Sequence, residues 1–333
     1  MTRFATPDEK VKPLSLPKAY PSMMRNMPKY KWFKPLLALL LFGVFAFIFE
    51  GIVEIIQSVY DNIATNPMVV VIARNAYLQV DFTDPIAIFL MCLTIAAFIP
   101  AAAIALKITG MGGLGTLSSV EGHLRWDLIK KIALPIFVLT AVLVVVVEAV
   151  GILMSGDTDV LSNIRFAPAA LIAVLVFVPF QCIAEEYAFR GLLFQMFGSW
   201  IPAVAISCIL QALLFGGAHG YELLGNVGIA INGLFWGWLT VKTGGIEASG
   251  CLHAANNVVS MLLSVLFLEI TATTTVTAWA FACEVVYSLI TVVFAYYLCK
   301  RNGYVISDNQ PAVDPEVEQL EQATPTGNQD AIS

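Results

Sequence analysis

Apolar windows long enough to cross about 30 Å of hydrocarbon as helices, at 1.5 Å of rise per residue, recur near 36–56, 86–106, 132–154, 167–189, 201–219, 225–241, 247–268 and 276–299. A chain that is 58% hydrophobic, only 13% charged and of mean hydropathy +0.79 is a polytopic membrane protein. The expected fold is all-α, a bundle of about eight transmembrane helices. Gly216, Gly217 and Gly220 interrupt the fifth and sixth windows, so seven spans plus a re-entrant segment is the alternative count.

The charges divide the chain into three parts. Residues 1–30 form a basic tail without the short apolar core of a cleavable signal peptide, and the first apolar run reads as a retained span. Residues 31–302 form the membrane domain. Residues 303–333 hold six acids (Asp308, Asp314, Glu316, Glu318, Glu321 and Asp330) with no Lys or Arg, the pattern of a disordered tail. Apart from Arg190, fifteen Lys and Arg residues fall in one alternate set of connections and only Arg74 and Arg165 in the other. Positive charge is retained on the cytoplasmic side, which predicts two cytoplasmic termini in a cell membrane and an even number of spans. Basic residues beside the first span, Lys29, Lys31 and Lys34 among them, are expected to lie near anionic lipid. The connection 107–131 reads as an interfacial piece anchored by Trp126 and Lys130-Lys131, with His123 at its surface. The six cysteines form no CxxC pair and read as small apolar fillers.

Against this background Glu185-Glu186-Tyr187-Ala188-Phe189-Arg190 stands out at the end of an apolar run. A charged residue within a span costs at least ~2.5 kcal/mol, so such a cluster marks a functional site by default. Glu186 and Arg190 are four apart and share a helix face, while Glu185 turns about 100° away. One carboxylate can then be held ionised while the other moves a proton. Phe215 with His219, and His253 with Asn257, are also pairs four apart on one helix side. Taken singly, the acid pair with Arg190 also reads as an interfacial salt bridge, and each histidine as a packing residue. Helical rise offers a test: if the fourth helix continues to about Phe197, then Glu186, His219, His253 and Asn257 fall within a slab of about 13 Å. A turn directly after Arg190 would leave His219 near the outer surface.

At these residues the chain resembles the CAAX protease and bacteriocin-processing (CPBP, or Abi) family of intramembrane proteases. Its patterns EExxxR, FxxxH and HxxxN/D correspond to Glu185-Glu186 with Arg190, Phe215 with His219, and His253 with Asn257, intact and in order within roughly 165–270. The resemblance implies hydrolysis of a peptide bond in a membrane-associated peptide or protein, at a site on helices 4, 5 and 7 opening toward the cytoplasmic half of the bilayer. It assigns Glu185 or Glu186 to deprotonate water, His219 to position it, and His253 with Asn257 to stabilise the oxyanion, with Arg190 and Phe215 supporting. The family has been described both as glutamate-type and as metal-dependent. Glu186, His219 and His253 are the candidate ligands for a divalent metal such as zinc, although there is no HExxH. The partners implied are the substrate and the lipid bilayer, with no nucleic acid.

Other intramembrane polar residues lie outside these motifs. Glu50 and Glu54 share a face of the first span, Glu148 lies in the third and Glu284 in the eighth, and Asn232 in the sixth is a candidate to join them around a wet cavity. Two other function classes remain compatible with the sequence. One is a catalytically silent relative acting as a binding, immunity or regulatory protein. The other is a proton-coupled carrier, for which matched internal repeats are missing.

Overall fold

The computed structural model describes residues 20–63, 82–155, 164, 166–267 and 276–305. Arg74, Arg165 and the acidic run from Asp308 onward lie outside the described residues, as do Arg3, Lys10, Lys12 and Lys18. A short 3-10 helix, Tyr20–Asn26, precedes helices α1 (Lys34–Ile63), α2 (Pro85–Ala96), α3 (Phe98–Thr109), α4 (Leu114–Ser118) and α5 (Trp126–Ser155). Then come α6 (Pro168–Glu186), continued by a π-helical stretch Tyr187–Leu193 into α7 (Phe194–Trp200), α8 (Val204–Gly217), α9 (Leu223–Thr243), α10 (Glu247–Phe267) and α11 (Ala278–Arg301). Among the described residues the only strand-like pairing is an isolated antiparallel bridge between Ser119 and Gly245.

Among the described residues, seven helical segments are long and apolar enough to cross a membrane: Lys34–Tyr60, Pro85–Thr109, Trp126–Met154, Pro168–Trp200, Leu223–Thr243, Glu247–Phe267 and Ala278–Arg301. The fifth window differs from the eight-span count. It forms only α8, whose 14 residues rise roughly 21 Å, short of the hydrocarbon thickness. Pro202 delays its start and the Gly216-Gly217 pair marks its end. The helix carrying the acid pair does continue past Arg190 to Trp200, as the depth argument requires. Large apolar side chains on the outer faces of α1, α5 and α11, such as Leu40, Phe47, Leu134, Val142, Leu289 and Val293, are exposed. Exposed apolar faces on helices of this length are lipid-facing, and the chain is an integral membrane protein.

The interior is built where α6 packs on α2 and α10, and where α10 packs on α5. Val174, Val178 and Cys182 of α6 meet Ile88 and Met91 of α2 and Val258 and Val265 of α10 in one cluster. Phe215, Trp236, Leu239 and Leu252 join α8, α9 and α10 with Ile132 and Ile136 of α5 in another. All six cysteines are free, and all but Cys251 and Cys283 are buried, in keeping with a filler role. Tyr20, Met23 and Met24 are buried against Leu106, Leu117 and Leu192, and Tyr304 and Val305 pack on the second cluster.

Candidate active site

Close approach of α6 and α10 creates the site. Gly250 of α10 faces α6, where an added Cβ would stand 3.2 Å from Ile183 Cδ1 and 3.8 Å from Glu186 Cγ. A small residue one turn before His253 lets the backbones approach as in membrane helix pairs generally, and the imidazole then reaches the acids across the interface. His253 Nδ1 lies 3.0 Å from Glu186 Oε1, and Nε2 lies 3.3 Å from Glu185 Oε2. One imidazole therefore bridges both carboxylates. Because a carboxylate oxygen can only accept, Nδ1–H donates to Glu186.

The two acids have different surroundings. Glu186 is fully buried and also faces Arg190 Nη1 at 3.2 Å, the i,i+4 pair expected from the spacing. Arg190, likewise fully buried, has no hydrogen bond of good geometry to the described residues. Its charge is instead sandwiched by aromatic faces, 3.9 Å from the Phe215 ring centroid and 5.2 Å from that of Trp236. A desolvated guanidinium over such faces is stabilised by their quadrupoles, by about 2 kcal/mol each. Glu185 is 7% exposed, its Oε1 accepting from Gln181 Nε2 at 2.7 Å while Oε2 has no hydrogen-bond donor. Glu186 and Arg190 thus neutralise one another while Glu185 has no Lys or Arg partner among the described residues, and each carboxylate keeps one oxygen, Oε2, without a hydrogen-bond partner.

Phe215 and His219 arrive from the end of α8. Phe215 is the hub of the pocket, edge-on to His219 at 4.7 Å, to His253 at 5.8 Å and to Phe189 at 5.0 Å. His219 Nδ1 lies 2.7 Å from the Phe215 carbonyl, to which it must donate, so Nε2 is directed elsewhere. The ring is half-buried and close enough to Glu185 for their charges to interact. Asn257 Nδ2 lies 3.3 Å from His253 Nε2, one helical turn along α10.

The structure therefore brings together Glu185, Glu186, Arg190, Phe215, His219, His253 and Asn257. Two neighbours escaped the reading of the sequence. Gln181 sits four residues before Glu185, a spacing that signals the pair, and Trp236 stacks on His253 at 4.7 Å and 29°. Nothing in its spacing distinguishes Trp236 from core. The π-helical stretch begins at Tyr187, immediately after the acids, and such irregularities are frequent at functional positions. Asn232 does join Glu284, donating from Nδ2 at 2.7 Å between α9 and α11.

Glu186, His219 and His253 do not converge as metal ligands. Among the described residues no three His, Cys, Asp or Glu side chains are arranged to hold a metal ion. His253 Nδ1 is spent on Glu186 and Nε2 faces Asn257 Nδ2, so the donor set does not fit zinc.

Outside the pocket, a second buried ion pair fixes the start of α10. Arg125 donates from Nε and Nη2 to the two carboxylate oxygens of Glu247, at 3.0 and 2.7 Å, and its backbone N–H donates to Oε1 at 2.9 Å. Burial alone would weaken the guanidinium's hold on its proton, but the bonds and charge of Glu247 outweigh it and raise the Arg125 pKa above its ordinary value. The connection read as an interfacial amphipathic piece is thus tied into the protein, although His123 and Trp126 are exposed as expected.

Comparison with known proteins bears on this region. Residues 167–259 match the family described as Type II CAAX prenyl endopeptidase Rce1-like. The Bacillus subtilis (strain 168) protein described as "Uncharacterized protein YyaK" is 38% identical over 94 residues, covering 26% of this chain and 31% of that protein. The match thus spans under a third of that relative's length. No solved structure matches the chain. All seven motif residues lie inside the matched segment, and over that segment the chain is similar to this family.

Proposed function

We propose that this protein is an intramembrane endopeptidase, hydrolysing a peptide bond in a membrane-associated peptide or protein by direct attack of water. The observation that carries the reading is a single imidazole, His253, held between two buried carboxylates, of which Glu186 is paired with Arg190 and Glu185 is not. Glu185 is the general base. It accepts a proton from a water positioned by His219 Nε2, and the water oxygen bonds to the scissile carbonyl carbon. Asn257 Nδ2, oriented by His253 Nε2, faces the negative charge that develops on the carbonyl oxygen. Glu185 then returns the proton to the departing amine as the C–N bond breaks. Glu186 and Arg190 hold His253 in place, and Phe215 and Trp236 keep water from the buried charges.

The Lys and Arg distribution favours both termini on the cytoplasmic side of the cell membrane, an arrangement that needs an even number of crossings and so takes the short α8 with its flanking residues as the eighth. The scissile bond then approaches from the inner half of the bilayer. Membrane proteomes of cells carrying the native chain and cells carrying Glu185→Gln are expected to differ by uncut precursors that accumulate only with the variant. Identical proteomes at equal protein level would remove the case for proteolysis.

No step passes through a metal. Cleavage of such a precursor by purified protein is therefore expected to continue at an unchanged rate in EDTA or 1,10-phenanthroline. Inhibition that added zinc reverses would replace the glutamate mechanism with a zinc-bound water.

A further inference from the structure

A chain of side-chain hydrogen bonds leaves the site in a direction that no motif covers. Tyr287 of α11 donates from its hydroxyl to Asn256 Oδ1 at 2.7 Å, and Asn256 donates from Nδ2 to Asn257 Oδ1 at 3.1 Å. Asn257 Nδ2 then faces His253 Nε2 at 3.3 Å. All three relay residues are half-buried, where an unmet amide or hydroxyl is costly and a complete network holds one arrangement.

The direction of these bonds matters. An Asn side chain presents a donor at one end and an acceptor at the other, and half a turn about its last bond exchanges them. For Asn257 that exchange decides whether the pocket sees an N–H, which attracts a developing oxyanion, or a carbonyl oxygen, which repels it. Asn256 biases the choice, its Nδ2 donating to the Asn257 oxygen. Tyr287, whose hydroxyl donates to the Asn256 oxygen, holds that NH2 on the Asn257 side. Glu284, one turn before Tyr287 on α11, takes no part in this relay, its Oε1 being held by Asn232 Nδ2.

We infer that Tyr287 and Asn256 are positioning residues that lock the Asn257 amide with its NH2 toward His253 and the reacting carbonyl. The inference deepens the proposed proteolysis and rests on it for its catalytic consequence, while the lock itself is a property of the resting protein.

The chain has three histidines, His123, His219 and His253, so protein labelled with 15N-histidine gives three sets of imidazole signals that single His substitutions assign. Tyr287→Phe, which removes one oxygen and keeps the ring, is expected to shift the His253 signals and leave those of His219 and His123 in place. Asn256→Ala is expected to do the same. Losing one oriented hydrogen bond near the reacting carbonyl should lower kcat about tenfold with KM unchanged, measured on a precursor that accumulates with Glu185→Gln. In an Asn257→Ala background, Tyr287→Phe should lower kcat no further. Unmoved His253 signals in both variants, or losses that multiply in the double variant, would overturn the inference. A native chain that cuts no precursor would overturn the proteolysis instead, and the His253 signals would still decide the lock.

Discussion

Glu185→Gln is expected to lower kcat by about 10³-fold while leaving the thermal midpoint in detergent unchanged. The amide keeps the side chain's shape and an oxygen that can accept from Gln181, so the fold loses nothing while the base is gone. Glu186→Gln is expected to behave differently. It leaves Arg190, fully buried, without its anion, and removing one partner of a buried pair costs about 3–5 kcal/mol. Activity and thermal midpoint should therefore fall together. Cleavage assays and melting curves on the two purified variants give four numbers. A stable, inactive Glu186→Gln beside a Glu185→Gln that retains cleavage would exchange the two roles.

How far the site was legible in the sequence depends on whether a contact lies within one helix or between two. Glu186 with Arg190, Phe215 with His219 and His253 with Asn257 are pairs four residues apart, so helical geometry alone sets them side by side. Their convergence followed from one further condition, the continuation of the fourth span past Arg190, and the structure meets it at Trp200. The bridging of both acids by His253 was not legible. The sequence placed Glu185 about 100° from Glu186, which reads as separation. A ring entering from α10 with a nitrogen on either side spans that angle. Contacts such as Tyr287 with Asn256, or Trp236 over His253, join residues of different helices, and periodicity within a helix carries no information about them. The short α8 was ambiguous for a related reason: Gly216, Gly217 and Gly220 weaken the pattern, but only packing decides where a glycine-interrupted helix stops.

Arg125→Ala is expected to destabilise the protein by about 3–5 kcal/mol, more than most single substitutions do, although Arg125 belongs to no motif. The substitution strips Oε2 of Glu247, a residue 1% exposed, of its partner and leaves Oε1 only the backbone N–H of residue 125. Its consequence extends to the pocket because the same junction includes Val120 N–H donating to the Gly244 carbonyl at 2.8 Å and Ile246 N–H donating to the Ser118 carbonyl at 2.9 Å. Gly244 makes that turn possible, with φ of 68° ending α9 in the left-handed region that a residue with a Cβ adopts at a cost. Six residues beyond Glu247 stands His253, so a loosened junction frees the helix that holds the imidazole between the two acids. Arg125→Lys keeps the charge but not the two-pronged fork and should fall between native and Ala. Replacing the pair together, Arg125→Met with Glu247→Leu, removes the unpaired charge and should recover most of the lost stability. Thermal midpoints of the four proteins test this, and an Arg125→Ala variant that melts with the native protein would show that the pair contributes nothing to holding α10.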